Sequence, residues 1–326
     1  MQSLLKDNHG RTINYLRLAV TDKCNLRCFY CMPEEGIDWL SRAALMTTDE
    51  MLRICKLLAA QGIEKIRITG GEPFVRKDIM PLLSGIAQIQ GVQQLSITTN
   101  GVLTAPYIPE LKALGIRSVN LSLDTLDRER FAAITHRDEL PAVLRTLEEL
   151  LKHSIEVKIN AVVMESQNTQ DINELVRLTK DLPISVRFIE EMPFNSGTHR
   201  PSLHWDHIRI LKEIAAAYPG IKKIQDPMYS TSYNYNIPGH KGNVGIIAAY
   251  TRSFCGSCNR IRITPEGMMK TCLYDSGIFN IRDMMRNNVP DAAIITALHE
   301  ALAHRAANGH EAERTTAHES MAAIGG

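Results

Sequence analysis

The stretch YLRLAVTDKCNLRCFYC, residues 15–31, contains both a predicted strand and the most informative motif of the chain. Residues 15–20 form an apolar run, and Cys24, Cys28 and Cys31 follow it in C-x3-C-x2-C spacing. Three thiolates this close together can hold one face of a cubane iron–sulfur cluster and leave its fourth iron without a protein ligand. A structural zinc site usually takes four ligands in C-x2-C pairs, and no further Cys or His lies near this triplet. The spacing therefore favours a reactive cluster.

Outward from this stretch, short β-rich runs alternate with longer amphipathic stretches. The predicted strands are residues 15–20, 65–69, 95–98, 118–123, 157–163 and 185–189, and the predicted helices include residues 48–60, 78–89, 139–152 and 171–180. This alternation predicts an α/β fold with a parallel sheet. Six strand–helix units are too few to close an eight-stranded barrel. Cys55 lies on the apolar face of the first helix, so we expect it to pack in the core.

Polar residues mark the ends of the predicted strands, where parallel sheets build their sites. The second strand ends in Gly70-Gly71-Glu72-Pro73, in which the glycines allow close backbone approach and the glutamate brings an acceptor. Thr98 ends the third strand, and Ser122 lies in the fourth. Ordinary turn chemistry could explain either of these last two alone.

Five cations lie within strands that are otherwise mostly apolar. They are Arg17, Lys65, Arg67, Lys158 and Arg187. Because side chains alternate between the two faces of a strand, these cations face away from their apolar neighbours and into the barrel. Buried cations need anionic partners. Internal carboxylates are one possibility, and a substrate with several negative charges, such as a triphosphate, is the other.

A second cysteine triplet lies near the C-terminus. Cys255, Cys258 and Cys272 stand in C-x2-C-x13-C spacing and predict a second cluster with an open iron. Zinc completed by a histidine such as His240 is the structural alternative. Arg260 and Arg262 follow this triplet's first pair and alternate with isoleucines, so they add to the cationic surface.

The composition of the chain argues against several classes of protein. The formal net charge is +1, so no global field indicates a nucleic-acid partner. Residues 1–10 resemble no signal or transit segment, and no apolar run could span a bilayer, so we expect a cytoplasmic protein with no membrane partner. The chain has 326 residues, which predicts a barrel, residues 1–228, and a smaller C-terminal region, residues 229–326.

The first triplet, with Tyr30 inside it and GGEP after the next strand, resembles the radical S-adenosylmethionine (SAM) superfamily. The resemblance implies an open, incomplete six-stranded βα TIM-like barrel, with a C-terminal extension that carries the second cluster. It also implies that the first cluster binds SAM and cleaves it to methionine and a 5'-deoxyadenosyl radical.

The second triplet, the CNRIR segment and the terminal Gly325-Gly326 narrow the resemblance to the GTP 3',8-cyclase family of molybdenum cofactor biosynthesis. The family implies two [4Fe-4S] clusters, the first held by Cys24, Cys28 and Cys31 and the second by Cys255, Cys258 and Cys272. It implies a SAM site of Tyr30, Gly71, Glu72, Ser122 and Met192. It implies a GTP site of Arg17, Arg67, Thr98, Lys158, Arg260, Ile261 and Arg262. The catalytic residues that it implies are Arg17, Arg260, Arg262, Gly325 and Gly326.

The activity implied is that of a radical SAM lyase that converts GTP to 3',8-cyclo-7,8-dihydro-GTP, the first step of molybdenum cofactor biosynthesis. The radical removes hydrogen from C3' of the ribose, and the carbon radical adds to C8 of guanine. The partners implied are an electron donor such as flavodoxin or ferredoxin, the next pathway enzyme, cyclic pyranopterin monophosphate synthase, and a second copy in a homodimer. Two departures concern loops: residues 303–308 show little of the family's basic character, and residues 193–195 replace a glycine-bearing turn.

Two other classes of protein remain as alternatives. Another radical SAM enzyme with an auxiliary cluster, acting on a peptide or other anionic substrate, would usually carry more C-terminal cysteines. A zinc protein that binds nucleic acid would leave the first triplet unused and would be more basic.

Overall fold

The computed structural model describes residues 4–33, 35–194, 202, 204–313 and 320–325. Its strands are β1 (Tyr15–Ala19), β2 (Lys65–Thr69), β3 (Gln94–Thr99), β4 (Ser118–Ser122), β5 (Glu156–Val163), β6 (Ser185–Glu190), β7 (Lys222–Lys223), β8 (Ser232–Asn236), β9 (Asn243–Ile247), β10 (Arg260–Ile263), β11 (Met268–Lys270) and β12 (Phe279–Asn280). Its α-helices are α1 (Thr48–Ala60), α2 (Ile79–Ala87), α3 (Ile108–Ala113), α4 (Arg128–Thr135), α5 (Leu140–Lys152), α6 (Ile172–Asp181), α7 (His207–Ala217), α8 (Ile281–Arg286), α9 (Asp291–Ala303), α10 (Gly309–Glu313) and α11 (Met321–Ile324).

All of these strands join one sheet in the order β12-β11-β10-β1-β2-β3-β4-β5-β6-β9-β8-β7. The run from β10 through β1–β6 to β9 is parallel, and the strands outside it pair antiparallel. In the described part of the chain, β12 and β7 are edges that do not pair with each other, so the sheet stays open. The prediction of an open α/β barrel is confirmed, and its six strands match β1–β6 within one residue at each end.

The apolar faces of the strands and helices form one continuous core. Leu16, Leu18, Ile66 and Ile68 point from β1 and β2 into this core and are fully buried. Cys55 on α1 is also fully buried there, which confirms that it packs as a small hydrophobic residue. The opposite face of the strands is left free to line a cavity. No helix among the described residues is long and apolar enough to cross a membrane.

The C-terminal strands extend the sheet on both sides. Residues 229–245, rich in Gly, Tyr, Asn and Pro, interrupt the alternation of strands and helices, and in the structure β8 lies within them and β9 overlaps their end, with β9 parallel to β6. On the other side, β10 is parallel to β1, and its arginines come into register with the cations of β1 and β2. The boundary at residue 228 stays a prediction, and the strands on either side of it belong to one sheet.

Candidate active site

A cavity of about 640 Å³ lies on the inner face of the sheet. Inward-facing side chains of β1–β6, β9 and β10 line it, and both cysteine triplets contribute to its wall. Cys24 follows the carboxyl end of β1, whereas Cys258 precedes the amino end of β10, which is parallel to β1. The two triplets therefore lie toward opposite ends of the strands.

The first triplet is held in place by the glycine turn after β2. The Gly71 N–H donates to the Thr21 carbonyl over 2.8 Å, and the Glu72 N–H donates to the Lys23 carbonyl over 2.8 Å. A Cβ on Gly70 would lie 2.4 Å from the Thr21 carbonyl oxygen, and one on Gly71 would lie 2.3 Å from that of Lys23. Only glycine allows this approach. The sequence predicts that Gly70 and Gly71 approach a ligand. In the structure they also fix the backbone that leads into Cys24.

The environment of these cysteines fits a metal cluster. Removal from bulk water raises the pKa of Cys24 to about 11 and that of Cys31 to about 12, and negative neighbours add to both shifts. The pKa of Cys28 is raised in the same way, with Cys31 and Asp124 as its next causes. Three thiolates gathered here need a cation to offset their charge, and iron supplies it. No three His, Cys, Asp or Glu side chains of the described residues converge on one point suited to a single metal ion. A cubane cluster spreads its thiolates over three irons, so it needs no such convergence.

The proposed SAM residues divide into those that reach the cavity and one that does not. Tyr30, Gly71, Ser122 and Met192 line it. Glu72 is fully buried and absent from the lining. Its carboxylate accepts from the Thr99 hydroxyl and from the backbone N–H groups of Phe74 and Asn100, at 2.9, 3.1 and 2.7 Å. Glu72 therefore braces the loops after β2 and β3, and its predicted contact with the cofactor stays a prediction.

Asp124 is a cavity residue to which the sequence assigned no role. Its carboxylate accepts from the Tyr30 hydroxyl over 2.8 Å and from the Val162 N–H over 2.8 Å. Burial raises its pKa to about 6, although both hydrogen bonds oppose the shift. A carboxylate at the end of a parallel strand was the available signal. Its partner on the cysteine loop, Tyr30, could not be read from spacing.

The cations form rows across neighbouring strands. Arg262, Arg17 and Arg67 are in register on β10, β1 and β2, and all three line the cavity. Toward the amino ends, Arg260, Tyr15 and Lys65 form a second row in the same way. The prediction that these charges face inward is confirmed by the lining.

These cations are poorly compensated. Removal from bulk water and the charge of Arg262 lower the pKa of Arg17 well below its usual value. Burial lowers the pKa of Lys65 to about 8. Lys158 pairs with the exposed Glu156 at 2.8 Å, so a carboxylate at the surface does serve one of them. Within the ranges described, no carboxylate pairs with Arg17 or Arg67 in this way. The cavity therefore has an excess of positive charge.

Tyr15 is a cavity residue that the sequence does not mark as a site residue. Burial disfavours its ionisation, but the charges of Arg67, Arg17, Lys65 and Arg260 outweigh that effect and lower its pKa to about 8. Its ring lies under Lys65 at 4.8 Å and under Arg260 at 5.6 Å. An aromatic residue at the start of a strand reads as core, so no sequence signal pointed to this position.

Polar atoms without partners face the same cavity. Among the described residues they are Tyr15 Oη, Arg17 Nε, Thr69 Oγ1, Thr98 Oγ1, Asn120 Oδ1, Asn160 Oδ1 and Asn259 Oδ1. Buried polar groups are rarely left unpaired in folded proteins. Their clustering around one cationic space indicates a polar, anionic ligand, and the hydroxyl of Thr98, a predicted GTP residue, is one of these atoms.

The second triplet reaches the cavity through Cys258 and Cys272, while Cys255 begins a short 3-10 helix behind them. Burial raises the pKa of Cys258, but Arg260 and Arg305 outweigh it and leave that pKa below the usual value. His240 instead bonds Thr179 at 2.8 Å and does not line the cavity, so it does not complete a zinc site there. Arg260 and Arg262 line the cavity, but Ile261 is fully buried in the core because it alternates with them. The side chain of Ile261 therefore faces away from the cavity, and the predicted contact of this residue with GTP stays a prediction.

The C-terminal tail runs into this site. The Ser320 hydroxyl and the Met321 N–H donate to the Cys31 carbonyl at 2.8 and 3.2 Å. Arg262 Nη1 donates to the Gly325 carbonyl at 2.7 Å. Gly325 has a φ of +77°, and a Cβ there would lie 2.7 Å from Ala19 Cβ. The predicted role of Gly326 lies outside the described residues, as does that of Asn195 in the loop at 193–195.

Comparison with known families divides the chain in two. Residues 18–179 match the model of the radical SAM superfamily, and residues 184–311 match that of Molybdenum Cofactor Synthesis C. In solved structures, Streptococcus suis SuiB bound to S-adenosylmethionine has a TM-score of 0.63 at 16% identity, over 88% of this chain and 69% of that chain. Native anSMEcpe with bound AdoMet has a TM-score of 0.55 at 18% identity, over 84% of this chain and 79% of that one. At these identities the structures show a shared fold.

Curated relatives are closer in sequence. GTP 3',8-cyclase of Clostridium perfringens (strain 13 / Type A) is 41% identical over 88% of this chain and 88% of that protein. The mitochondrial GTP 3',8-cyclase of Arabidopsis thaliana is 37% identical over 90% of this chain and 76% of that protein. Molybdenum cofactor biosynthesis protein 1 of Dictyostelium discoideum is 38% identical over 94% of this chain. The matched part covers 49% of the length of that protein. The chain is therefore a radical SAM enzyme and belongs to the GTP 3',8-cyclase family of molybdenum cofactor biosynthesis.

Proposed function

We propose that this enzyme converts GTP to 3',8-cyclo-7,8-dihydro-GTP, the first step of molybdenum cofactor biosynthesis. The observation that carries the proposal is a single cavity with a cysteine triplet toward each end and a cationic wall between them. The names of the relatives agree with it. No feature of the cavity favours a peptide substrate.

The cysteines would hold two [4Fe-4S] clusters, which together with SAM supply the radical chemistry of the reaction. Cys24, Cys28 and Cys31 would hold the first, and Cys255, Cys258 and Cys272 the second. Tyr30, Gly71, Ser122 and Met192 would line the SAM site. Asp124 orients the Tyr30 hydroxyl, and Glu72 supports the loops below the glycine turn.

The cationic wall would bind GTP. Lys65 and Arg67 line the cavity from β2, and Lys158 and Arg187 line it from the neighbouring strands β5 and β6, with β3 and β4 between the two pairs. Arg and Lys donors of this kind suit phosphate oxygens. Lys158 would exchange Glu156 for phosphate when GTP binds. Cys258 and Arg260 would face the guanine base, and Thr98 the ribose. The assignment of Thr98 to the ribose would satisfy a hydroxyl that lacks a hydrogen-bond partner among the described residues.

The tail would close the site. Arg262 reaches Gly325 and also faces the substrate space, so it would hold the docked tail beside the bound substrate. A docked tail covers the carboxyl ends of β1 and β2 and would exclude water from a reactive intermediate. Arg17 and Arg260 would hold the substrate in the reacting orientation, and a catalytic role for Gly326 is part of the same proposal.

Further partners follow from this function. An electron donor such as flavodoxin or ferredoxin would reduce the first cluster, and cyclic pyranopterin monophosphate synthase would use the product. A homodimer is part of the same proposal. All seven cysteines are unpaired, which supports a reducing compartment, and we propose the cytoplasm.

The function is tested with anaerobically reconstituted protein, SAM, GTP and a chemical reductant. We expect equal amounts of 5'-deoxyadenosine and a cyclised GTP product by liquid chromatography and mass spectrometry. Arg130→Met, which removes a buried ion pair with Asp171 outside the cavity, serves as the matched control and should keep the product. Cleavage of SAM with no nucleotide product would overturn the proposal.

A further inference from the structure

The segment before β1 reaches the second cysteine triplet, although the family resemblance assigned it no role. Lys6 and Thr12 form a bridge that folds residues 6–12 into a small hairpin. Asp7 in this hairpin has a side chain with 0% exposure. It holds two arginines, Arg11 at 2.5 Å and Arg305 at 3.1 Å. A carboxylate buried this deeply is retained when such partners satisfy it.

Arg305 connects this carboxylate to a cysteine sulfur. Its side chain is 2% exposed, and Nη2 donates to Cys258 Sγ at 3.2 Å. The same guanidinium donates to the carbonyls of Cys258 at 3.1 Å and Arg260 at 3.0 Å. His9 further fixes the loop by bonding the Arg305 carbonyl at 2.9 Å. Arg305 is a basic residue within residues 303–308, the segment whose sequence shows little basic character.

Arg11 is the counterpart that does not touch sulfur. Its Nη1 donates to the Cys255 carbonyl at 3.0 Å and to the Ala307 carbonyl at 2.8 Å. Its Nη2 donates to the Ala306 carbonyl at 3.0 Å. Asp7 thus supports one arginine on each cysteine of the Cys255–Cys258 pair, and of these two arginines only Arg305 donates to a cysteine sulfur.

We infer that Arg305 is a positioning residue that tunes the second cluster, raising its reduction potential through the hydrogen bond to Cys258 Sγ. Reduction adds a negative charge to the cluster, and a positive donor on a ligand sulfur stabilises the reduced form more than the oxidised form. Asp7 holds the guanidinium at the sulfur, so the N-terminal hairpin sets the electronic property of a site formed by the C-terminal region. This inference rests on the second cluster of the proposed function.

The test measures the midpoint potential of the second cluster alone. The parent is the full chain with Cys24, Cys28 and Cys31 all replaced by Ala, reconstituted anaerobically and titrated with detection by electron paramagnetic resonance. Arg305→Met keeps the length and removes the donor. At the parent's midpoint we expect the ratio of reduced to oxidised cluster to fall about tenfold, which is about 59 mV for one electron.

Arg11→Met is the matched control. It also removes a partner of Asp7, so its melting temperature should fall as much as that of Arg305→Met. The ratio of reduced to oxidised cluster should change by less than about threefold, because contacts to the cluster sulfurs dominate the tuning of the potential. An unchanged potential in Arg305→Met, or equal changes in both variants, overturns the inference. If Arg305→Met does not fold, Arg305→Gln decides, because it removes the positive charge and keeps a polar side chain: a parent-like potential overturns the inference, and a lowered one supports it. A parent without iron contradicts the proposed function itself, and the inference with it.

Discussion

Replacing Gly325 with Ala should separate tail docking from every other property of this enzyme. Gly325 has a φ of +77°, and its carbonyl accepts from Arg262. A Cβ at this position would lie 2.7 Å from Ala19 Cβ and 2.8 Å from Thr69 Oγ1. Both neighbours belong to strands at the base of the site, so neither can move far to make room.

The expected size of the effect follows from these contacts. A left-handed backbone costs alanine about 1 kcal/mol relative to glycine, and an added methyl group in a packed space costs about 1–3 kcal/mol. Together they disfavour docking by about 2–4 kcal/mol, which lowers the ratio of docked to undocked tail about 30-fold to 1000-fold. Cyclisation should fall by a similar factor at saturating GTP.

Single-turnover formation of the cyclised product at saturating GTP measures this loss. Iron content and GTP affinity, by calorimetry, should stay within error of the unsubstituted enzyme. Gly115→Ala is the matched control, because Gly115 has a φ of +79° and open space around its Cβ position. It carries the strain without the overlap and should keep full activity. Cyclisation by Gly325→Ala at the rate of the unsubstituted enzyme would refute the argument that the tail docks in this geometry.

Three further predictions concern the cavity and the clusters. Arg17→Met should raise the melting temperature of the nucleotide-free protein, since it removes a poorly compensated cation. It should also weaken GTP binding by about 1.5–3 kcal/mol. A lower melting temperature would show that an internal partner serves Arg17. Burial lowers the pKa of Lys65 from its usual value of 10.5 to about 8, and the surrounding cations lower that of Tyr15 from 10.0 to about 8. The unfolded chain therefore binds more protons between pH 8 and 10, so stability of the nucleotide-free protein should rise with pH in this window. GTP affinity should fall in the same pH window as Lys65 loses its charge. Denaturant melts across the window measure the stability, and calorimetry measures the affinity. A flat pH profile of either quantity would contradict the corresponding expectation. Cys24→Ala should lose about half the iron and all SAM cleavage, and Cys258→Ala should lose the other half of the iron and keep SAM cleavage, because each cluster has its own ligands. Iron assays and measurement of 5'-deoxyadenosine test this. Loss of all iron in either variant would contradict the expectation that the two clusters assemble independently.

The barrel strands can be predicted because their two faces differ so sharply in sequence. In β2, Lys65 and Arg67 alternate with isoleucines, so residue type alone separates the inward face from the outward one. The cysteine spacing likewise identifies two triplets. Because β1 and β2 are parallel neighbours, the glycine turn that follows β2 lies beside the first triplet, which follows β1. Local periodicity and short motifs carry this kind of information well.

Features that depend on distant partners could not be predicted. β8 reads as a polar loop and becomes a strand because β9 lies beside it. Arg305 looks like an isolated surface cation, and only folding brings it to Asp7, 298 residues earlier in the chain. The motif around Glu72 predicts contact with the cofactor, whereas the burial of this side chain depends on the loop after β3. Long-range contacts of this kind leave no periodic trace in sequence.

The cations on β2, β5 and β6 also bear on how this enzyme chooses its substrate. If Lys65, Lys158 and Arg187 hold the triphosphate as proposed, they contact groups that GTP, ATP and inorganic triphosphate share. These contacts would bind all three, so selectivity would have to come from groups that face the base. The proposed site would therefore separate capture from discrimination: the phosphate contacts would draw many anions in, and the surroundings of Cys258 and Arg260 would decide which of them reacts. Polyphosphates without a guanine would act as competitive inhibitors.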